Sequence, residues 1–261
     1  MRYLLLSGAV LSSMLSLPAI AAVNTFNGNQ INLVGTATLL NNSALELTQS
    51  GNEQYGAAWL TSGLSTSDSF NAYFSFSIAT NGSDLMADGI TFTLQNTGTN
   101  AMGNTDGGFS LGYDGLNKGS NTAVGSIIKT HINNRVGLDT TDYSNNAKHA
   151  PNGANLGTAK LVTGNETITY NATTNVLNMT GTLIVDGTSY AVDDTKTINL
   201  AAKFSNSNTM YAGFTGATGA ASSEQKITSF SISAVPEPES YAMLLLGLGL
   251  MGFTSRRLKT S

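Results

Sequence analysis

Apolar and polar residues alternate with a period of two along much of the chain. Phe74, Phe76 and Ile78 are interleaved with Ser75 and Ser77; Ile90, Phe92 and Leu94 with Thr91 and Thr93; Phe230 and Ile232 with Ser229, Ser231 and Ser233. Ile168 and Tyr170 alternate with Thr167 and Thr169, and Leu183 and Val185 flank Ile184. Side chains along a strand point to opposite faces in turn, so each segment predicts a strand with one buried and one wet face. Turn formers lie between them: Asn81-Gly82-Ser83, the Gly/Asn/Asp-rich residues 103–108, Asn152-Gly153 and Asp186-Gly187. Asp186-Gly187, set between Leu183–Val185 and Tyr190–Val192, predicts a two-residue hairpin. No stretch between the two ends carries the 3.6 period of an amphipathic helix. Many short strands without helices predict an all-β sandwich or barrel. No internal repeat or linker divides it, so a single domain is expected.

The two ends depart from this pattern. Arg2 precedes an apolar core, Leu4 to Leu17, and Ala19-Ile20-Ala21 offers a small-x-small cleavage site, so residues 1–21 are expected to be a signal peptide and the mature chain to begin at Ala22. At the other end Pro236-Glu237-Pro238 is followed by an apolar run, Tyr241 to Thr254, and then by Arg256, Arg257 and Lys259. The prolines keep their segment extended. The run is short against the roughly 20 residues of a full membrane span, and the basic cluster favours the cytoplasmic side. This tail resembles the PEP-CTERM sorting signal of Gram-negative bacteria that make extracellular polysaccharide. The resemblance implies export by the secretion machinery, transient membrane insertion through the tail, and cleavage by an exosortase-type enzyme. A retained single-pass transmembrane anchor is the alternative. The expected division is therefore 1–21 signal peptide, 22–234 folded domain and 235–261 sorting signal.

Setting the ends aside changes the charge balance. The bases fall from 12 to 8 and the acids from 16 to 14, for a net charge of −6. An acidic domain is a poor match for nucleic acid or anionic lipid. There is no cysteine, which excludes thiol catalysis and cysteine-held metals, and a domain of this size has core enough to fold without disulfides. Only 11% of residues are charged, but the apolar fraction of 41% with regular patterning argues against disorder.

Three further segments sharpen the fold expectation: Ala87-Asp88-Gly89 running into Ile90–Gln95; Gly107-Gly108-Phe109-Ser110-Leu111-Gly112-Tyr113; and Tyr211-Ala212-Gly213-Phe214-Thr215-Gly216-Ala217-Thr218-Gly219, followed by Ile227–Ile232. In this order and spacing they resemble the legume-type (L-type) lectin domain, from about Phe26 to Ser233. Arg135-Val136-Gly137-Leu138-Asp139 resembles that family's strand after the metal loop. The resemblance implies a concanavalin-like jelly-roll sandwich of antiparallel sheets with loops presented for sugar recognition. It also implies that Asp88, preceded by a cis peptide bond, accepts hydrogen bonds from sugar hydroxyls, as an acceptor-only carboxylate suits. The alternative is a turn aspartate capping its own backbone. Gly107 and Gly108 would offer an unobstructed backbone N–H, or form a plain turn. The Gly216–Glu224 loop corresponds to the family's specificity loop, with Thr218, Gly219, Ser222, Ser223 and Glu224 as candidates. Asn133 or Asn134 stands nearest the family's sugar-binding asparagine.

The metal site of that family has no counterpart in the residue types. Lys129 and His131 fall at its acidic positions, Arg135 at its histidine position, and Ile132-Asn133-Asn134 replaces a longer acidic loop. Hard divalent cations need several oxygen ligands, carboxylates among them, so no cofactor is expected. Lys129 could instead occupy the cation's place, and His131 could be an ordinary strand-face residue. Asp139 and Asp142 could bind calcium in a loop; two solvated surface carboxylates are the plainer alternative.

Catalysis finds little support. Glycoside hydrolysis needs two carboxylates flanking the scissile bond, and the chain has no Glu-x-Asp or Asp-x-Glu. The two histidines, His131 and His149, are near no nucleophile motif, and no phosphate-binding glycine fingerprint occurs. The leading expectation is a non-enzymatic carbohydrate-binding protein at the cell surface or in the extracellular matrix, membrane-anchored if the tail is retained. The alternatives are a structural matrix protein that uses the sandwich without binding sugar and, third, a glycoside hydrolase.

Overall fold

The computed structural model describes residues 30–40, 44–80, 85–116, 123–205 and 207–235. The signal-peptide and sorting-tail expectations, and the Asn81-Gly82-Ser83 turn, lie outside these residues. The strands, in chain order, are β1 (Ile31–Gly35), β2 (Thr38–Leu40), β3 (Ala44–Gln49), β4 (Tyr55–Leu60), β5 (Leu64–Ser65), β6 (Ser69–Ala79), β7 (Gly89–Gln95), β8 (Val124–Lys129), β9 (Arg135–Asp139), β10 (Leu161–Asn171), β11 (Val176–Val185), β12 (Thr188–Thr197), β13 (Thr209–Ala217) and β14 (Glu224–Val235). The helical content among the described residues is one turn, α1 (Leu200–Lys203), and two 3-10 turns at Gly108–Ser110 and Ser144–Asn146.

The strands form two antiparallel sheets. One runs β1-β4-β13-β7-β8-β9 with β5 paired to β13; the other runs β12-β11-β10-β6-β14-β3-β2. This is the expected jelly-roll sandwich. Phe74 from β6 and Phe230 from β14 meet Phe92 from β7 and Phe214 from β13 between the sheets. Ring centroids are 5.3 Å apart for Phe74–Phe214 and 4.9 Å for Phe214–Phe230, both edge to face, an arrangement that adds about 0.5–1.5 kcal/mol per pair beyond area burial. The Asp186-Gly187 hairpin is present. Both residues have positive φ, 46° and 86°, and Val185 pairs with Thr188, as a two-residue loop between twisted strands requires.

The one-face-wet expectation holds for β6 of the second sheet and fails for β7 of the first. In β6, Ala72, Phe74, Phe76 and Ile78 are buried while Asn71 and Tyr73 are exposed. In β7 every residue is buried, including Thr91 and Thr93. Their hydroxyls satisfy one another at 2.6 Å, and Thr91 pairs with Thr215 of β13 at 2.8 Å. The reason is a second apolar cluster on the outer side of this sheet. Ala57 and Trp59 of β4 and Ile127 of β8 pack there with Ala101, Leu111, Tyr113, Leu116 and Ala147 from loops, and the Trp59 indole N–H donates to the Ala101 carbonyl at 2.9 Å. The long loops thus lie down on the sheet, and one of them brings Gly107 and Gly108 to the end of β7.

Candidate functional site

Asp88 stands at the start of β7, after a cis Ala87–Asp88 peptide bond, as the family resemblance implied. Backbone and side-chain bonds hold both sides of that bond. The Ala87 carbonyl accepts from the Ser223 hydroxyl at 2.6 Å and the Gln225 amide at 3.2 Å. The Asp88 N–H donates to Ala217 at 2.9 Å, and its carbonyl accepts from Thr130 at 2.8 Å. Three strands and the specificity loop therefore converge on one residue, which is only 3% exposed.

The carboxylate faces two backbone segments. The Gly219 N–H is directed at it while also donating to the Ala221 carbonyl at 3.2 Å. A β-carbon on Gly108 would overlap Asp88 Oδ2, Gly219 N and the Thr218 carbonyl carbon, and one on Gly219 would stand 3.3 Å from both Asp88 Oδ2 and Gly108 N. Only glycine permits this approach. Gly107, at φ 152°, makes the turn that delivers Gly108. Burial pushes the Asp88 carboxyl up to about 6; His131 and Lys129 pull it down, Glu53 pushes it up, and the Gly219 amide lowers it. The outcome is an acceptor carboxylate beside backbone donors, the combination that vicinal hydroxyls complement.

The remaining sequence candidates are distributed less evenly. Thr218 is buried, and its hydroxyl donates to Gly51 at 2.6 Å and accepts from the Gln54 N–H at 3.0 Å, so its side chain fixes the loop. Ser223 is engaged by the Ala87 carbonyl, Ser222 donates to Ser50 at 3.1 Å, and Glu224 pairs with Lys226 at 2.5 Å. Asn133 is exposed in a turn in which Ile132, Asn133 and Asn134 all have positive φ; His131, which precedes this turn, is tied to Asp88 by the His131 N–H to Asp88 carbonyl bond, 3.4 Å.

Two residues near Asp88 were not singled out from the sequence. Glu53, at φ 54°, lies in the β3–β4 connection, and Tyr55 opens β4. The Tyr55 hydroxyl donates to Glu53 Oε2 at 3.0 Å, and burial with the Glu53 carboxylate pushes the phenol up to about 12. The loop is anchored to the site by the Glu53 N–H to Gly219 carbonyl bond, 3.1 Å. The one sequence signal was Tyr55 at the head of an apolar run. Phe109, next to Gly108, presents a half-exposed ring.

Asp139 and Asp142 correct the solvated-carboxylate alternative, since both are buried. Asp139 accepts from the Tyr113 hydroxyl at 2.7 Å, the Thr141 hydroxyl at 2.6 Å, and the N–H groups of Thr141 and Tyr143 at 3.0 Å. Asp142 accepts from the Leu116 N–H at 3.2 Å. These carboxylates tie the covering loops together. Among the described residues no group of three His, Cys, Asp or Glu is arranged to hold a metal ion. Lys129 and Arg135, which the sequence resemblance aligns with the family's ligands, carry an ammonium and a guanidinium, and the guanidinium donates to the Ala147 carbonyl at 2.9 Å. That donor set does not fit a divalent cation.

A two-sheet sandwich bearing an acceptor carboxylate and glycine amides on converging loops defines a lectin-type domain. Residues 22–243 match the legume lectin domain, and the chain belongs to that family. Residues 234–258 match the PEP-CTERM protein-sorting motif, which implies export and exosortase processing. Among solved structures, peanut lectin in complex with a 9mer peptide is similar at 23% identity and a TM-score of 0.67, over 82% of this chain and 97% of that one. Lectin UEA-II complexed with galactose is similar at 18% identity and a TM-score of 0.67, over 84% and 100%. Arcelin-5, a lectin-like defense protein from Phaseolus vulgaris, is similar at 18% identity and a TM-score of 0.67, over 83% and 99%. No helix among the described residues is long and apolar enough to cross a membrane.

Proposed function

We propose that this protein is an exported, non-enzymatic carbohydrate-binding protein that associates with cell-surface or extracellular polysaccharide. The observation that carries this is the meeting of Asp88 with Gly108 and Gly219, which leaves no room for a side chain between carboxylate and amides. Asp88 accepts from sugar hydroxyls, a backbone N–H of the Gly107–Gly108 segment donates, and the Phe109 ring offers an apolar face to the C–H side of a sugar. Membership of the legume lectin family and the galactose in the related UEA-II complex support a glycan as the partner. The sorting motif supports processing by an exosortase-type enzyme and residence at the surface.

The second function, a matrix protein that uses the sandwich without binding sugar, is favoured by residue type: Lys129 and Arg135, which the resemblance aligns with the family's metal ligands, are cationic and bonded to protein carbonyls. A glycan array probed with the purified protein separates the two. Selective binding to a glycan class supports the proposal; a blank array from folded protein favours the matrix function. Glu53 places a second carboxylate near Asp88, so hydrolysis of a bound glycan would point instead to a glycosidase.

A further inference from the structure

Lys129, the last residue of β8, is only 1% exposed. Its ammonium donates to the Phe109 carbonyl at 2.6 Å, the Ser144 hydroxyl at 3.1 Å and the Asn145 side-chain carbonyl at 3.0 Å. An ammonium has three donors, and all three are satisfied by oxygens. The Phe109 ring lies 6.0 Å away. The Asp114 carboxylate, close enough to act on Lys129 by its charge, accepts from the Ser144 N–H at 2.6 Å and hydroxyl at 3.2 Å. The result is a point charge inside a nest of oxygens, closed by a carboxylate. These oxygens come from two loops that β-pairing does not restrain: the segment carrying Gly107 and Gly108, and the 3-10 turn Ser144–Asn146.

We propose that Lys129 is a chain-borne cation that replaces the divalent metal of the legume lectin framework and positions Gly107 and Gly108 against Asp88. A charge buried to this degree is costly unless its donors are all met, so the three oxygens and the ammonium fix one another. The carbonyl held most tightly belongs to Phe109, the residue after Gly108, so the glycine pair cannot drift from the carboxylate while the bond stands. A divalent ion in the same nest would be repelled by the ammonium. Lys129 is thus a positioning residue, and the site carries its organising charge within the sequence. The consequence for binding rests on the carbohydrate-binding function; the consequence for the loop does not.

The test uses the full chain and two ligand-free readouts: amide hydrogen exchange over residues 107–113 and the NMR titration of the Asp88 carboxyl. In the wild type both should be unchanged by a chelator and by millimolar calcium or manganese, and so should the melting temperature. Lys129→Met should keep the far-UV spectrum of a β-sandwich, exchange the 107–113 amides at least tenfold faster, titrate Asp88 at higher pH because a nearby positive charge is gone, and lose at least tenfold in affinity for an array-selected glycan. Asn145→Ala keeps the charge and removes one acceptor; it should speed exchange about threefold and carries the test if Lys129→Met does not fold. Exchange and titration unchanged in Lys129→Met, or unchanged exchange in Asn145→Ala, would overturn the proposal. So would a melting temperature raised by calcium and lowered by the chelator. A loosened loop in a protein that binds no glycan would uphold Lys129 and reject the carbohydrate function; full glycan affinity in Lys129→Met would do the reverse.

Discussion

Gly108 and Asp88 are packed so closely that the glycine cannot carry a β-carbon: one placed there would overlap Asp88 Oδ2 and the Gly219 nitrogen at once. The overlapped atoms include backbone, which cannot swing aside as a flexible side chain can. Gly108→Ala should therefore displace the Thr218–Gly219 segment. Overpacking of this kind costs about 1–3 kcal/mol, read as a lower midpoint in urea. Glycan affinity should fall by more than that of a variant equally destabilised elsewhere in the sandwich. Wild-type affinity in Gly108→Ala would mean that the two residues do not share one site.

Binding should depend on pH through Asp88. Burial raises its carboxyl to about 6, with the charges of His131, Lys129 and Glu53 adjusting the value. The acceptor role needs the ionised form, so affinity should be level above pH 7 and about tenfold weaker at pH 5. Calorimetric dissociation constants at half-unit intervals would measure this. Affinity that holds or rises down to pH 5 would exclude an ionised Asp88 as the main acceptor.

Glu166 gives a second pH dependence, in stability. It lies on β10 inside the sandwich, fully buried, with Oε2 accepting from the Ser126 hydroxyl at 2.6 Å and Oε1 without a partner. Burial raises its pKa from 4.5 to about 7. The folded state therefore holds its proton more tightly than the unfolded chain. The stability this contributes is complete below about pH 4.5 and is lost as pH rises through about 7, to an extent of roughly 3 kcal/mol. Urea unfolding of wild type and Glu166→Gln across that window should show the wild-type decline reduced in the variant. Parallel profiles would show that Glu166 does not titrate there.

Much of the fold was legible because it is local. The alternation in β6, β10 and β14 and the two positive-φ residues at Asp186-Gly187 each follow from a few adjacent residues. The burial of Thr91 and Thr93 was not legible, because it depends on loops that return to cover the sheet through Trp59, Tyr113 and Leu116. The site divides in the same way. Asp88, Gly107, Gly108 and Gly219 stood out through family motifs, and Lys129 through its place in the metal alignment. Glu53 and Tyr55 did not, since the antiparallel pairing of β4 with β13, Tyr55 opposite Ala217, brings the start of β4 and the loop before it to Asp88. Likewise Ser223 was a polar candidate of the specificity loop, yet its hydroxyl points inward to the Ala87 carbonyl.

If Asp88 is the main side-chain acceptor for a sugar, calorimetric titration of wild type and Asp88→Asn with one array-selected glycan will show it. Asparagine keeps the shape but loses the charge and places a donor where acceptors are needed. Hydrogen bonds to a charged group contribute about 1.5–3 kcal/mol, so affinity should fall roughly ten- to a hundredfold. Thermal stability should be held or slightly raised, because a buried carboxylate that resists ionisation is replaced by a neutral group. Equal affinity in the variant would place recognition elsewhere, and loss of the fold together with binding would make Asp88 a structural residue and not a sugar ligand.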